Sequence, residues 1–214
     1  MDLLLAVALV GVFFLIMAAV YSIINAGQQT ALLRSLTAAA GALRRQAGKP
    51  GWRQVPDDED VAAGRLSAVE RTRRAAVAVT HEGRTVRVAV FSSMVPAAHY
   101  QGVPVGRATA LGLVVAVDVP ELGGDLRMDP PRAARGYYEM SGGLAPLVVG
   151  DVEKKVLAQL KSYQPPAVDV ADGVACFTFT DMDLAEQVDE LAALACDVVD
   201  ILVDVRKSVP PGGE

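Results

Sequence analysis

AAVAVTHEGRTVRVAVF occupies residues 75–91. Val77 and Val79 precede the Glu82-Gly83-Arg84 break, and Val86, Val88 and Val90 follow it, at every second position. Successive side chains of a strand point to opposite faces, and β-branched residues suit a half-buried pleat, so the stretch predicts a β-hairpin of Ala75–His81 and Thr85–Phe91. Downstream, the Val- and Leu-rich run from Ala108 to Val119 predicts a third strand, ended by Pro120 and Gly123-Gly124. Leu126–Met128 predicts a short fourth. Sequential strands with short connections favour an antiparallel meander over a parallel sheet.

The second half adds helices. Asp151–Tyr163 places Val152, Val156, Leu157 and Leu160 on one helical face, and Pro165-Pro166 stops it. A second hairpin follows: Ala167–Val170 and Val174–Thr180 flank Asp172-Gly173, a favoured two-residue turn. From Asp183 to about Arg206 the chain predicts a long helix, capped by Thr180 or Asp181, with early acids and late bases matched to its dipole. Its stripe of Leu184, Val188, Leu191, Ala195, Val198, Leu202 and Val205 is widened by Leu194 and Ile201. A stripe of that width packs on a core rather than forming a two-position coiled-coil seam. The fold class expected is therefore α+β: antiparallel strands with a short helix and a long C-terminal helix.

Ahead of this domain, Leu3–Ile24 contains no charged residue. Twenty-two helical residues span about 33 Å, matching a hydrocarbon core of about 30 Å, so one N-terminal transmembrane helix is expected. Asp2 and the length of the run argue against a cleaved signal peptide. Arg34, Arg44, Arg45, Lys49 and Arg53 follow the run with no acid before Asp57. The positive-inside rule then puts the following domain on the cytoplasmic side of the cell (inner) membrane. Abundant Arg, Ala, Val and Gly point to a GC-rich bacterial genome.

The organisation expected is an anchor at 1–26, a basic juxtamembrane helix at 27–50, an acidic linker at 51–64, the domain at 65–207 and a disordered tail at 208–214. Leu32, Leu36, Ala39 and Leu43 form a short heptad seam. It leaves open a homodimer stalk, a basic face on anionic lipid, or a helix packed on its own domain. Arg34, Arg44, Arg45, Lys49 and Trp52 are the candidate lipid-facing residues. Arg65, Arg71, Arg73 and Arg74 either extend that basic collar or pair with the acidic start of the last helix. Asp57-Asp58-Glu59-Asp60 reads as a solvated acidic patch without Ca²⁺-loop spacing.

For chemistry, the chain has no P-loop, G-x-S-x-G, H-E-x-x-H, C-x-x-C or G-x-G-x-x-G. No catalytic residue, cofactor or metal ligand is assigned. Cys176 and Cys196 are expected to be reduced, buried side chains, and His81 and His99 exposed ones. A net charge of -5 argues against a general nucleic-acid binder. The segment 123–143 concentrates Asp125, Arg127, Asp129, Arg132, Arg135, Tyr137, Tyr138 and Glu139 between two Gly-Gly pairs. Long irregular connections are often functional, and Arg beside Tyr is the composition of protein-binding hot spots, so this is the candidate interaction loop. The expected function is a single-pass membrane protein whose domain binds an unidentified protein as a scaffold or assembly module. An enzyme using the 123–143 loop and an anionic-lipid-binding module are the alternatives.

Overall fold

The computed structural model describes residues 29–57, 59, 61, 71–95, 98–100, 103–105, 108–130, 137–160 and 163–208, with 16, 17, 20 and 27 as isolated helical positions. The expected membrane run 3–24 lies outside the described residues apart from Ile16, Met17 and Val20, as do Arg65 and residues 209–214. Among the described residues, no helix is long and apolar enough to cross a membrane.

The architecture is α+β. An α-helix over 29–46 (α1) leads to a two-residue strand β1 (Arg53–Gln54). β2 (Arg71–His81) and β3 (Arg84–Val95) follow, then the short β4 (Ala98–Tyr100) and β5 (Val103–Val105), and β6 (Ala108–Asp118). Next come β7 (Leu126–Asp129), β8 (Glu139–Ser141), α2 (Ala145–Val148) and α3 (Asp151–Leu160). β9 (Ala167–Ala171), β10 (Val174–Phe179), a 3-10 turn at Asp183–Glu186 and α4 (Val188–Ser208) complete it. β4 and β5 pair with each other; the other eight strands form one antiparallel sheet ordered β1-β2-β3-β6-β10-β9-β7-β8.

Both hairpins predicted from alternation are present. Asp172 and Gly173 have φ of 52° and 73°, as do Glu82 and Gly83 at 51° and 82°. Two successive positive φ values match the right-handed twist of the flanking strands, which is why Asp-Gly and Glu-Gly stand there. The register sets valine against valine: Val86↔Val117 and Val88↔Val115, with Val90↔Leu113 beyond them. All six side chains are fully buried, and each contributes roughly 1.5–3 kcal/mol of apolar burial.

The helices cover that face. α4 crosses β6, β3 and β2 and packs beside α3. Leu191, Leu194, Ala195, Val198 and Leu202 are buried, as a wide stripe requires. Asp181 supports the turn before it, its carboxylate accepting the Asp183 N–H at 3.0 Å.

Two stretches ahead of β2 pack on the domain, and for the α1 seam this is one of the three readings left open above. The seam of α1 faces its own domain: Leu36, Ala39 and Leu43 are buried in the main core, and only Leu32 remains partly out, at 37 %. The main core therefore includes α1, because the seam finds its apolar partner in the same chain. The described residues of the acidic segment lie on the sheet as a strap. Val55 donates its N–H to Ala76, and Val55 and Val61 are buried against Ala76, Ala78 and Ala89 on the sheet face away from the helices. Glu59 accepts both terminal nitrogens of Arg53 at 3.2 Å and lies 3.4 Å from Arg87 Nε. Its carboxyl is held below the usual range, chiefly by the Arg53 hydrogen bonds.

Candidate functional site

The 123–143 segment is not one irregular loop. β7 and β8 pair within it at the outer edge of the sheet, with Arg127↔Ser141 and Asp129↔Glu139. Gly142 explains the tight return. Its φ is +105°, and a Cβ there would lie 2.6 Å from the Asp125 carbonyl oxygen. Only glycine tolerates both conditions. Asp125 then closes the turn, its carboxylate accepting the Gly143 N–H at 2.9 Å and its carbonyl the Leu144 N–H at 3.0 Å.

Four of the eight candidate loop residues, Asp125, Arg127, Asp129 and Tyr138, are thus engaged within the fold. Tyr138 is 3 % exposed, donates its hydroxyl to the Pro166 carbonyl at 3.0 Å and gives its backbone N–H to Glu153 at 2.7 Å. Burial, reinforced by the Glu153 charge, raises its phenol above the usual range. Arg127 and Asp129 neutralise each other along β7 at 2.7 Å. Glu139 is half-buried on β8. Arg132 and Arg135 lie outside the described residues. Tyr137 is the aromatic left presented to solvent, at 51 % exposure.

The candidate lipid-facing residues divide. Arg34 is exposed on the outward face of α1, beside an open groove of about 490 Å³ lined by Leu33, Thr37, Ala38 and Gly41. Arg44 donates to the Arg74 carbonyl at 3.3 Å. The other three turn towards the start of α4. Arg45 pairs with Glu186 at 2.6 Å, Lys49 with Asp189 at 3.1 Å, and Trp52 Nε1 donates to Asp189 at 2.8 Å. Gln46, 4 % exposed, donates to the same carboxylate at 2.8 Å. Desolvation pushes the Asp189 carboxyl upward, yet the hydrogen bonds from Gln46, Trp52 and Lys49 together hold it below the usual range. Trp52 is partly buried against the core, so it belongs to the domain.

The second basic group joins the strap. Arg73 donates to the carbonyls of Pro56 and Glu59 and pairs with Asp57 at 3.3 Å, while Arg74 Nε donates to Ser92 at 3.2 Å. Neither is paired with α4; Lys49 pairs with Asp189 in its first turn, Arg45 with Glu186 just before it, and Arg84 of β3 with Asp200 further along it at 3.0 Å. The sequence carried a signal for this arrangement. Gln46 falls three residues after Leu43, a polar side chain at the next seam position, and such a residue needs a specific partner.

Cys176 sits with Val114 and Ala116 on the strap side of the sheet, whereas Cys196 is buried on α4 among the main core. Neither takes part in a disulfide. Burial pushes the Cys196 thiol up to about 11, leaving it protonated and unreactive at neutral pH. His81 is half-buried at the hairpin end rather than exposed, and the His99 side chain lies outside the described set. No group of His, Cys, Asp and Glu among the described residues is disposed to hold a metal ion. No family model matches the chain, and neither the curated proteins nor the solved structures contain a match to it.

Proposed function

We propose that the chain is a single-pass membrane protein whose α+β domain binds another protein on the cytoplasmic side, as a scaffold or assembly module. The observation that carries the membrane part is the side chains of Ile16, Met17 and Val20. These positions are helical, and their side chains are 56 %, 51 % and 44 % exposed within an uncharged run. Apolar groups left uncovered by protein along a helix call for an apolar environment outside the chain. The one-sided basic flank supports the cytoplasmic orientation. Tyr137 supports the binding part, as an exposed aromatic two residues before the edge strand β8.

The lipid-surface alternative is weakened because Arg45, Lys49 and Trp52 already have partners within the domain. The enzyme alternative is weakened because Asp125 and Tyr138 hold the chain on either side of β8, and Arg127 and Asp129 are paired with each other on β7.

Cell fractionation tests the membrane reading. The full chain should stay with membranes through alkaline and high-salt washes and leave only with detergent, and a periplasm-active reporter after Glu214 should be silent. Release by salt, or reporter activity, overturns it. For binding, a photo-crosslinking residue at position 137 should give a heavier adduct in cells, whereas one at exposed Asp197 should not. Equal capture at both positions, or none at 137, removes the rim as the interface.

A further inference from the structure

Apolar contact alone does not fix how α1 sits on the domain. Leu36, Ala39 and Leu43 hold it by burial, and burial is non-directional. Turning the helix by one residue or sliding it by one turn, about 5.4 Å, would redistribute such contacts rather than forbid them. The polar end of α1 is different. Gln46 and Trp52 both donate to Asp189 Oδ1 at 2.8 Å, and Lys49 reaches Oδ2 at 3.1 Å. One carboxylate therefore collects three donors from three consecutive structural pieces: the last turn of α1, the turn after it, and the residue before β1. It stands in the first turn of α4, where the unpaired N–H groups and the helix dipole favour a negative charge. Gln46 is buried, so a setting of α1 that moved its amide off Asp189 while keeping it from water would leave it unpaired.

We propose that Asp189 is a register pin for α1. It holds the helix at one rotation and one height, so that the domain is a rigid extension of α1 rather than a body swinging on a tether. That this also fixes the attitude of the domain to a bilayer rests on the membrane reading above; the pin itself does not.

Spin labels on Leu33→Cys and Asp197→Cys test it. Both positions are exposed, and the two native cysteines are buried. In the full chain in detergent, the Asp189 form should give one narrow distance distribution. Asp189→Ala should broaden it, or add a second peak about 5 Å away, one helical turn. Trp52, the only tryptophan, should at the same time become more mobile by fluorescence anisotropy. A narrow, unshifted distribution in Asp189→Ala shows that apolar packing sets the register and overturns the pin, as does a broad distribution in the Asp189 form. Should Asp189→Ala unfold the protein, Gln46→Leu decides: it keeps the shape and removes the directional donor, so broadening upholds the pin and an unchanged distribution overturns it. The measurement needs no bilayer, so its outcome is separate from that of the fractionation experiment.

Discussion

The two edges of the sheet are closed by different physics. At the β1 edge, α1 supplies apolar burial through Leu36 and Leu43, while the ion pairs of Arg45 and Lys49 stay largely in water: the Arg45 and Glu186 side chains are 66 % and 64 % exposed, and those of Lys49 and Asp189 are 56 % and 59 %. At the β8 edge, one buried residue performs both tasks. Tyr138 fills the core and hydrogen-bonds through its hydroxyl and its backbone N–H. Stability and geometry are therefore separable at the first edge and fused at the second. Exposed ion pairs contribute about 0–1 kcal/mol each, whereas a buried carbonyl deprived of its donor costs about 1–3 kcal/mol.

Leu43→Ala should break the β1 edge with the largest effect. Leu43 is fully buried, and removing such a side chain destabilises by roughly 2–5 kcal/mol through lost transfer energy and the residual cavity. Denaturant unfolding of the full chain measures it. A loss within about 0.5 kcal/mol, typical of a surface substitution, would mean that α1 is only a stalk and that the comparison fails. By the same reasoning, a chain shortened to begin at residue 51 should be much less stable, because it lacks the Leu36 and Leu43 layer.

At the β8 edge, Tyr138→Phe should cost about 1–3 kcal/mol, although it preserves nearly all the apolar volume, because the buried Pro166 carbonyl loses its donor. Gly142→Ala should lie in the same range, since a positive φ and a clash with the Asp125 backbone combine. Thermal unfolding of the two variants sharpens the contrast. A neutral Tyr138→Phe would show that water replaces the hydroxyl and that this edge, too, rests on apolar burial alone.

These contrasts also explain what was legible in the residues. The β2–β3 and β9–β10 hairpins, the β6 strand and the wide stripe of α4 could be read because period-2 and period-3.6 patterns report burial directly. The heptad seam of α1 was equally visible, but periodicity says that a face is buried and not by what, so the partner remained ambiguous between a second chain and this one. Short β1 and β8 carry too few residues for alternation to register. The candidate site was least legible. An arginine or tyrosine in a Gly-rich segment has the same composition whether it faces a partner or, like Tyr138 and Arg127, pairs inside the fold. In the sequence Asp189 is only one of several acids at the start of the last helix, because three donors converging from 46, 49 and 52 are a property of tertiary structure.

The smallest expected effect tests whether charge matters at the β1 edge. The hydrogen bonds from Gln46, Trp52 and Lys49 outweigh desolvation and lower the Asp189 carboxyl in the folded state. A lowered folded pKa means that the folded state holds the proton less tightly than the unfolded chain. The associated stability is therefore complete above the unfolded carboxylate value, about 3.9, and is lost as pH falls through the lower folded value. Because the pair is more than half exposed, the contribution should be about 1 kcal/mol or less. Asp189→Asn keeps an acceptor oxygen for Gln46 or Trp52 and removes the charge. Its stability curve should lie slightly below the parent at pH 7 and converge with it in acid, where the parent carboxylate is also neutral. Trp52 emission gives a local reading of the same convergence. If the two curves stay parallel through the acid limb, the carboxylate acts through shape and hydrogen bonding alone, and the clasp at this edge is no more electrostatic than the buried tyrosine at the other.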